Sequence, residues 1–275
     1  MEKQNESKHI RVRYRKNFFE RGYLDANADV AAAVNAGSFD GQGLNHFKIF
    51  NQERKRKQIT REAYDLLPYI RKEKLKHDIF LKQQHKCHSD NKYDFLTDKM
   101  RKQFGIINTT NVSSNSYPPE AIELIDRGDF ILDCGSGFRS VYYDNVVNLE
   151  IADYITTDIL SVGETLPFKD NTFDAVFSFA VLEHVKHPYQ CAHEIARVLK
   201  PSGTLLFAAV FMQPYHGYPH HYLNMTPSGG RALIEDVLNI KSQTVPKWQH
   251  PVRSLPPIII KMGKWIAGKY SGRVS

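Results

Sequence analysis

Two glycines and two acids carry the strongest chemical signal in this chain. Asp133, Gly135 and Gly137 close the apolar run 130–134, and Glu150 ends a second apolar run, 146–149, thirteen residues after Gly137. Each run reads as a short buried strand. In an open parallel α/β sheet, ligands bind just beyond the carboxyl ends of the strands. A glycine in the turn there has no Cβ to hold a bulky group away from the backbone. An acid at the next strand tip can accept hydrogen bonds from ribose hydroxyls. This spacing predicts a site that grips a nucleoside.

Three further blocks follow in order. They are Leu166-Pro-Phe running on to Phe173-Asp-Ala-Val, then Leu182-Glu-His-Val, then Arg197-Val-Leu-Lys-Pro-Ser-Gly. With Asp133-Cys-Gly-Ser-Gly and Glu150, this succession resembles the class I S-adenosylmethionine-dependent methyltransferases of the type-11 kind. The resemblance spans 116–245, about half of the chain. It implies an α/β fold: a doubly wound, mainly parallel, Rossmann-like sheet. It also implies the cofactor S-adenosyl-L-methionine. By the resemblance, the loop of Asp133, Gly135 and Gly137 offers its amides to the aminoacyl end, and Glu150 takes both ribose hydroxyls. Asp158 lies near the adenine amino group, Ile159 covers the adenine face, and Ser178 and Phe179 run beside the methionine portion. Arg139 stands where the family commonly has a third glycine, and is expected to turn outward or to serve structure. His184 is expected to be structural.

The acceptor side is read from 213–227, where three tyrosines and three histidines fall within eight residues, with prolines between them. Such a loop beyond a strand end can reach over a methyl donor. Aromatic faces stack on sugars, and a histidine near neutral pH can take a proton from an attacking hydroxyl. His216, His220 and His221 are therefore the candidate catalytic bases. No carboxylate lies close to them in sequence, so no metal site is expected. The loop resembles those of methyltransferases found among polysaccharide-biosynthesis enzymes, which implies O-methylation of a sugar or polysaccharide intermediate. A quinone, lipid or other small metabolite is the alternative acceptor, and a non-catalytic scaffold with a degenerate core is the alternative class. Ser178-Phe179-Ala180 stands where base-amine methylases carry Asn/Asp-Pro-Pro-aromatic, which argues against nucleic acid as acceptor.

The elements that must position these residues follow from periodicity. Strands are expected near 130–134, 146–150, 154–157, 173–179 and 203–210, and helices over 120–126, 187–199 and 227–238. Four regions result: a small helical module over 1–57, a charged helical linker over 58–115, the cofactor-binding domain over 116–245, and a basic, apolar tail over 246–275. The first resembles modules appended to bacterial polysaccharide enzymes, which implies a protein partner. The tail is expected to pack on the domain, with peripheral membrane contact as the other reading.

Charge is uneven along the 275 residues. Residues 1–102 hold 23 Lys and Arg against 14 Asp and Glu, and the remainder holds 14 against 16. Three widely spaced cysteines argue against a disulfide framework and for a reducing compartment. With a polar N-terminus and no apolar run long enough to cross a bilayer, the expected location is the cytoplasm.

Overall fold

The near-continuous apolar runs of the central strands, whose successive side chains point to opposite faces, dictate a sheet covered on both sides. Ile131, Val146, Ala175, Phe177 and Leu206 pack on one face against Ala121, Leu124 and Ile125 of the helix Pro119–Asp126. Leu132, Val147, Val176, Leu205 and Phe207 point the other way, against Cys191, Ala192, Ile195 and Val198 of the helix Pro188–Val198. The computed structural model describes residues 9–14, 18–54, 56–81, 86–87, 90–106, 116–209, 214–216, 219–238, 240–244 and 258–262.

The main sheet has nine strands. In spatial order they are Ile240–Thr244, Ile258–Met262, Leu199–Ala208, Phe173–Phe179, Ile131–Cys134, Val146–Glu150, Ile159–Leu160, Tyr93–Asp94 and Lys86–Cys87. The six from Leu199–Ala208 to Tyr93–Asp94 are mutually parallel, and the remaining three pair antiparallel at the edges. This is a Rossmann-like, doubly wound architecture. The chain order reverses beside Ile131–Cys134, so the crevice opens at its carboxyl end.

Several expectations need correction. The strand expected at 154–157 lies instead at Ile159–Leu160, because 154–157 is taken up by a turn in which Thr157 holds Tyr154 and Ala152. A strand at Val141–Tyr143 was not anticipated; it pairs antiparallel with His9–Arg11. The N-terminal module is thereby stitched into the domain. Its helices Glu20–Ala26, Ala28–Asn35 and Gly43–Arg54 gather around Tyr23, Val30 and Val34.

The stretch 58–115 is no linker over its described part. Its helix Arg61–Lys74, capped by the Thr60 hydroxyl, buries Ala63 and Leu67 against Phe138, Tyr142 and Tyr154. Its strands Lys86–Cys87 and Tyr93–Asp94 extend the sheet. Nor is 246–275 simply a tail, since Ile258–Met262 is inserted in the sheet between Leu199–Ala208 and Ile240–Thr244. The remaining residues of that tail lie outside the described ones, as do 107–115 and 82–85. Among the described residues no helix is long and apolar enough to cross a membrane.

Candidate active site

The turn after Ile131–Cys134 brings Gly135 and Gly137 into the left-handed region, at φ +86° and +59°. A Cβ at Gly135 would stand 2.4 Å from Cγ2 of Val181. Glycine is required there by backbone angle and by this neighbour. The turn folds back on the next strand tip. Gly135 and Ser136 donate their amides to the Leu149 carbonyl at 2.9 and 3.1 Å. The amide of Gly137 reaches Oε2 of Glu150 at 2.8 Å, while Oε1 accepts from the amide of Ile151 at 2.7 Å. The loop amides expected to greet an aminoacyl carboxylate are therefore already engaged by the protein.

Glu150 is buried, and burial pushes its pKa up, against the opposing pull of the amides of Gly137, Ile151 and Ala152. Each carboxylate oxygen accepts at least one backbone amide. Glu150 lines a cavity of about 370 Å³ together with Gly135, Gly137, Ile151, Val162, Phe179, His184, Pro219 and Tyr222. An apolar slot beside a twice-braced carboxylate suits adenine and a ribose diol. The ribose and adenine end of S-adenosylmethionine thus fits this cradle.

Not every expected residue arrives there. Gly135, Gly137, Glu150 and Phe179 line the cavity; Asp133, Asp158, Ile159 and Ser178 do not. Asp133 is fully buried and accepts from Tyr117 and from Arg139, whose Nε and Nη2 lie 2.9 and 2.7 Å from Oδ2. Arg139 thus turns inward, neutralising Asp133 and resting over the Tyr117 ring. Ile159 is consumed by the core beneath the sheet. Ser178 is fully buried within its strand.

Asp158 is the largest departure. It lies under the sheet, 2.9 Å from Arg71 Nε and 2.7 Å from Lys74 Nζ, and accepts from Tyr142 and from the Asn148 amide. Burial opposes its charge, but Lys74 and Arg71 overcome it and hold the carboxyl below its ordinary pKa. Ile151, Ser161 and Val162 line the cavity, whereas Asp158 and Ile159 do not. The sequence carried no sign of this exchange, since an arginine and a lysine on an amphipathic helix read as solvated.

The loop histidines also stand apart from the wall. Nδ1 of His216 lies 3.0 Å from the Pro214 carbonyl, and Nε2 of His221 lies 3.1 Å from the Leu223 carbonyl. The His220 carbonyl holds Nδ1 of His184 at 2.8 Å. Of the histidines among the described residues, it is His184 that lines the cavity. Its neighbour Glu183 is fully buried, and burial pushes its pKa up to about 7. The pair Glu183-His184 falls between the apolar Leu182 and Val185, and that was the one sequence sign of its burial.

Comparison with known proteins agrees with this geometry. Residues 133–207 match the family described as "Methyltransferase domain". An uncharacterized protein of Methanocaldococcus jannaschii, MJ0638, is 38% identical over 101 residues, covering 31% of this chain and 43% of that protein. The ubiquinone/menaquinone biosynthesis C-methyltransferase UbiE of a Ruegeria species is 33% identical over 91 residues, covering 32% and 35%. An uncharacterized methyltransferase of Mycobacteroides abscessus is 29% identical over 162 residues, covering 50% and 61%. The chain thus spans less than two thirds of each of these relatives. Motif order, strand-tip carboxylate and matched segment agree: residues 133–207 are similar to the core of an S-adenosylmethionine-dependent methyltransferase domain.

Proposed function

We propose that this protein transfers a methyl group from S-adenosylmethionine to an oxygen of a sugar or polysaccharide intermediate. The observation that carries the donor half is the Glu150 carboxylate, braced by Gly137 and Ile151 at the edge of an apolar cavity. When bound, the cofactor supplies an electrophilic methyl on a sulfonium. Glu150 fixes the ribose, and Ile151, Val162 and Phe179 keep water from the slot. Alignment of nucleophile and methyl then supplies much of the rate.

The acceptor half is supported by aromatic residues at the cavity. Tyr222 and Pro219 line it, and Tyr222 is 42% and Tyr215 79% exposed. Exposed aromatic faces beside a deep pocket suit the apolar face of a pyranose. A second reading, a quinone or other small apolar metabolite, draws on the similarity to UbiE and on the largely apolar wall.

Two measurements test this. Calorimetry with S-adenosylhomocysteine is expected to show one site per chain that Glu150→Ala removes; no binding by the wild type would favour a scaffold. Incubation with methyl-labelled donor and separated cell fractions is expected to label carbohydrate. Label confined to lipid would favour the quinone-type acceptor.

A further inference from the structure

We propose that Glu183, His184 and His216 form a binding site for one divalent transition-metal ion, zinc by the character of the donors, at the wall of the donor cavity. One ligand-capable atom from each residue lies within 4.8 Å of the others. Glu183 is fully buried, and neither carboxylate oxygen accepts a hydrogen bond from another residue. A buried carboxylate left in that state is costly, and a cation relieves it.

The hydrogen bonds of the two histidines set tautomers suited to ligation. Nδ1 of His184 faces the His220 carbonyl at 2.8 Å, and Nδ1 of His216 faces the Pro214 carbonyl at 3.0 Å. A carbonyl only accepts, so each Nδ1 carries the proton and each Nε2 presents a lone pair. Metal-binding imidazoles are held in this way. The rings cross edge to face with centroids 5.1 Å apart.

His221 is the instructive contrast. Its Nδ1 accepts from the His216 amide at 3.3 Å and its Nε2 donates to the Leu223 carbonyl at 3.1 Å. It has no lone pair to offer and serves as packing beside His216. The carboxylate that the loop lacks in sequence therefore arrives from Glu183, whose own carbonyl takes the Tyr222 amide at 2.7 Å. Two imidazoles and one carboxylate suit zinc and its divalent neighbours, whereas magnesium and calcium prefer oxygen donors. Three protein donors leave a four-coordinate ion one position for water or for an acceptor oxygen. Use of that position to lower an acceptor hydroxyl's pKa rests on the methyl-transfer reading; metal binding itself does not.

The test is titration of the EDTA-stripped full chain with cobalt(II) chloride, followed by visible absorption, and with zinc chloride, followed by calorimetry. One equivalent is expected, with the intense d–d bands of a four- or five-coordinate nitrogen–oxygen site. His184→Ala and His216→Ala should each weaken binding by about a hundredfold or more, since even residues that merely orient metal ligands cost ~10- to 100-fold. Glu183→Gln should weaken it too, and His221→Ala should keep one equivalent. Far-UV circular dichroism establishes that each variant is folded. No saturable binding by the wild type, or binding indifferent to His216→Ala in the folded variant, overturns the proposal. Failure to bind S-adenosylhomocysteine with metal binding intact would instead overturn the methyl-transfer reading.

Discussion

Lys74 and Asp158 meet 2.7 Å apart with neither side chain in appreciable contact with water, and Arg71 completes the group from the other carboxylate oxygen. Lys74 also donates to the Val146 carbonyl, and Arg71 to those of Ile155 and Asp90. Two cations one helical turn apart thus tie Arg61–Lys74 to the underside of the sheet. Removing one member of such a group strands the others in a dry site.

Asp158→Ala is accordingly expected to lower unfolding free energy by about 3–5 kcal/mol, the range for breaking a buried pair, read from urea denaturation. The folded fraction should bind S-adenosylhomocysteine as the wild type does. A large affinity loss in a fully folded Asp158→Ala protein would restore Asp158 to the cofactor site.

The same cluster sets a pH dependence. Burial lowers the Lys74 pKa from 10.5 to about 8, against the attraction of Asp158. Between those values the unfolded chain holds more protons than the folded one, so this group makes stability rise with pH. The full effect is on the order of 3 kcal/mol. Denaturation midpoints from pH 8 to 10 should therefore climb more steeply in the wild type than in Lys74→Met. Parallel curves for the two proteins would show that Lys74 does not titrate in this window.

Glu150→Gln probes the donor cradle with little change of shape. One of its two acceptor oxygens becomes an amide donor that must face the N–H of Gly137 or of Ile151. A lost charge-assisted hydrogen bond is worth about 1.5–3 kcal/mol, so S-adenosylhomocysteine affinity should fall roughly ten- to a hundredfold by calorimetry. Unchanged affinity would remove Glu150 from the ribose.

Gly135→Ala should destabilise the protein by about 1–3 kcal/mol, from positive φ alone and further from contact with Val181. Val181→Ala in the same chain should recover the steric part, leaving the conformational part. A double-mutant cycle measures this directly, and strict additivity would show that the contact is relieved by backbone movement.

Residues 130–134, 146–150 and 173–179 were readable because each strand is buried on both faces, and local apolar runs report that without knowledge of their neighbours. Gly135, Gly137 and Glu150 were readable for a related reason, since positive backbone angles and strand-tip acids are local demands. The chain from 58 to 106 was misread because its charge masked what it covers. Arg71 and Lys74 look solvated until the helix is docked and their tips enter the protein beside Asp158.

Order along the chain by itself determined the doubly wound sheet, the glycine turn and the acid beside it, because hydrogen-bonded strand geometry acts over a few residues. Only the tertiary structure decided which polar groups meet. It turned Asp158 and Arg139 into buried ion partners, and it drew His184 to the cavity in place of His220 and His221. It also brought Glu183 to His216 across more than thirty positions of chain. Such meetings depend on docking angles between elements, and the cost of burying an unpaired charge selects among those angles only once the whole chain has packed.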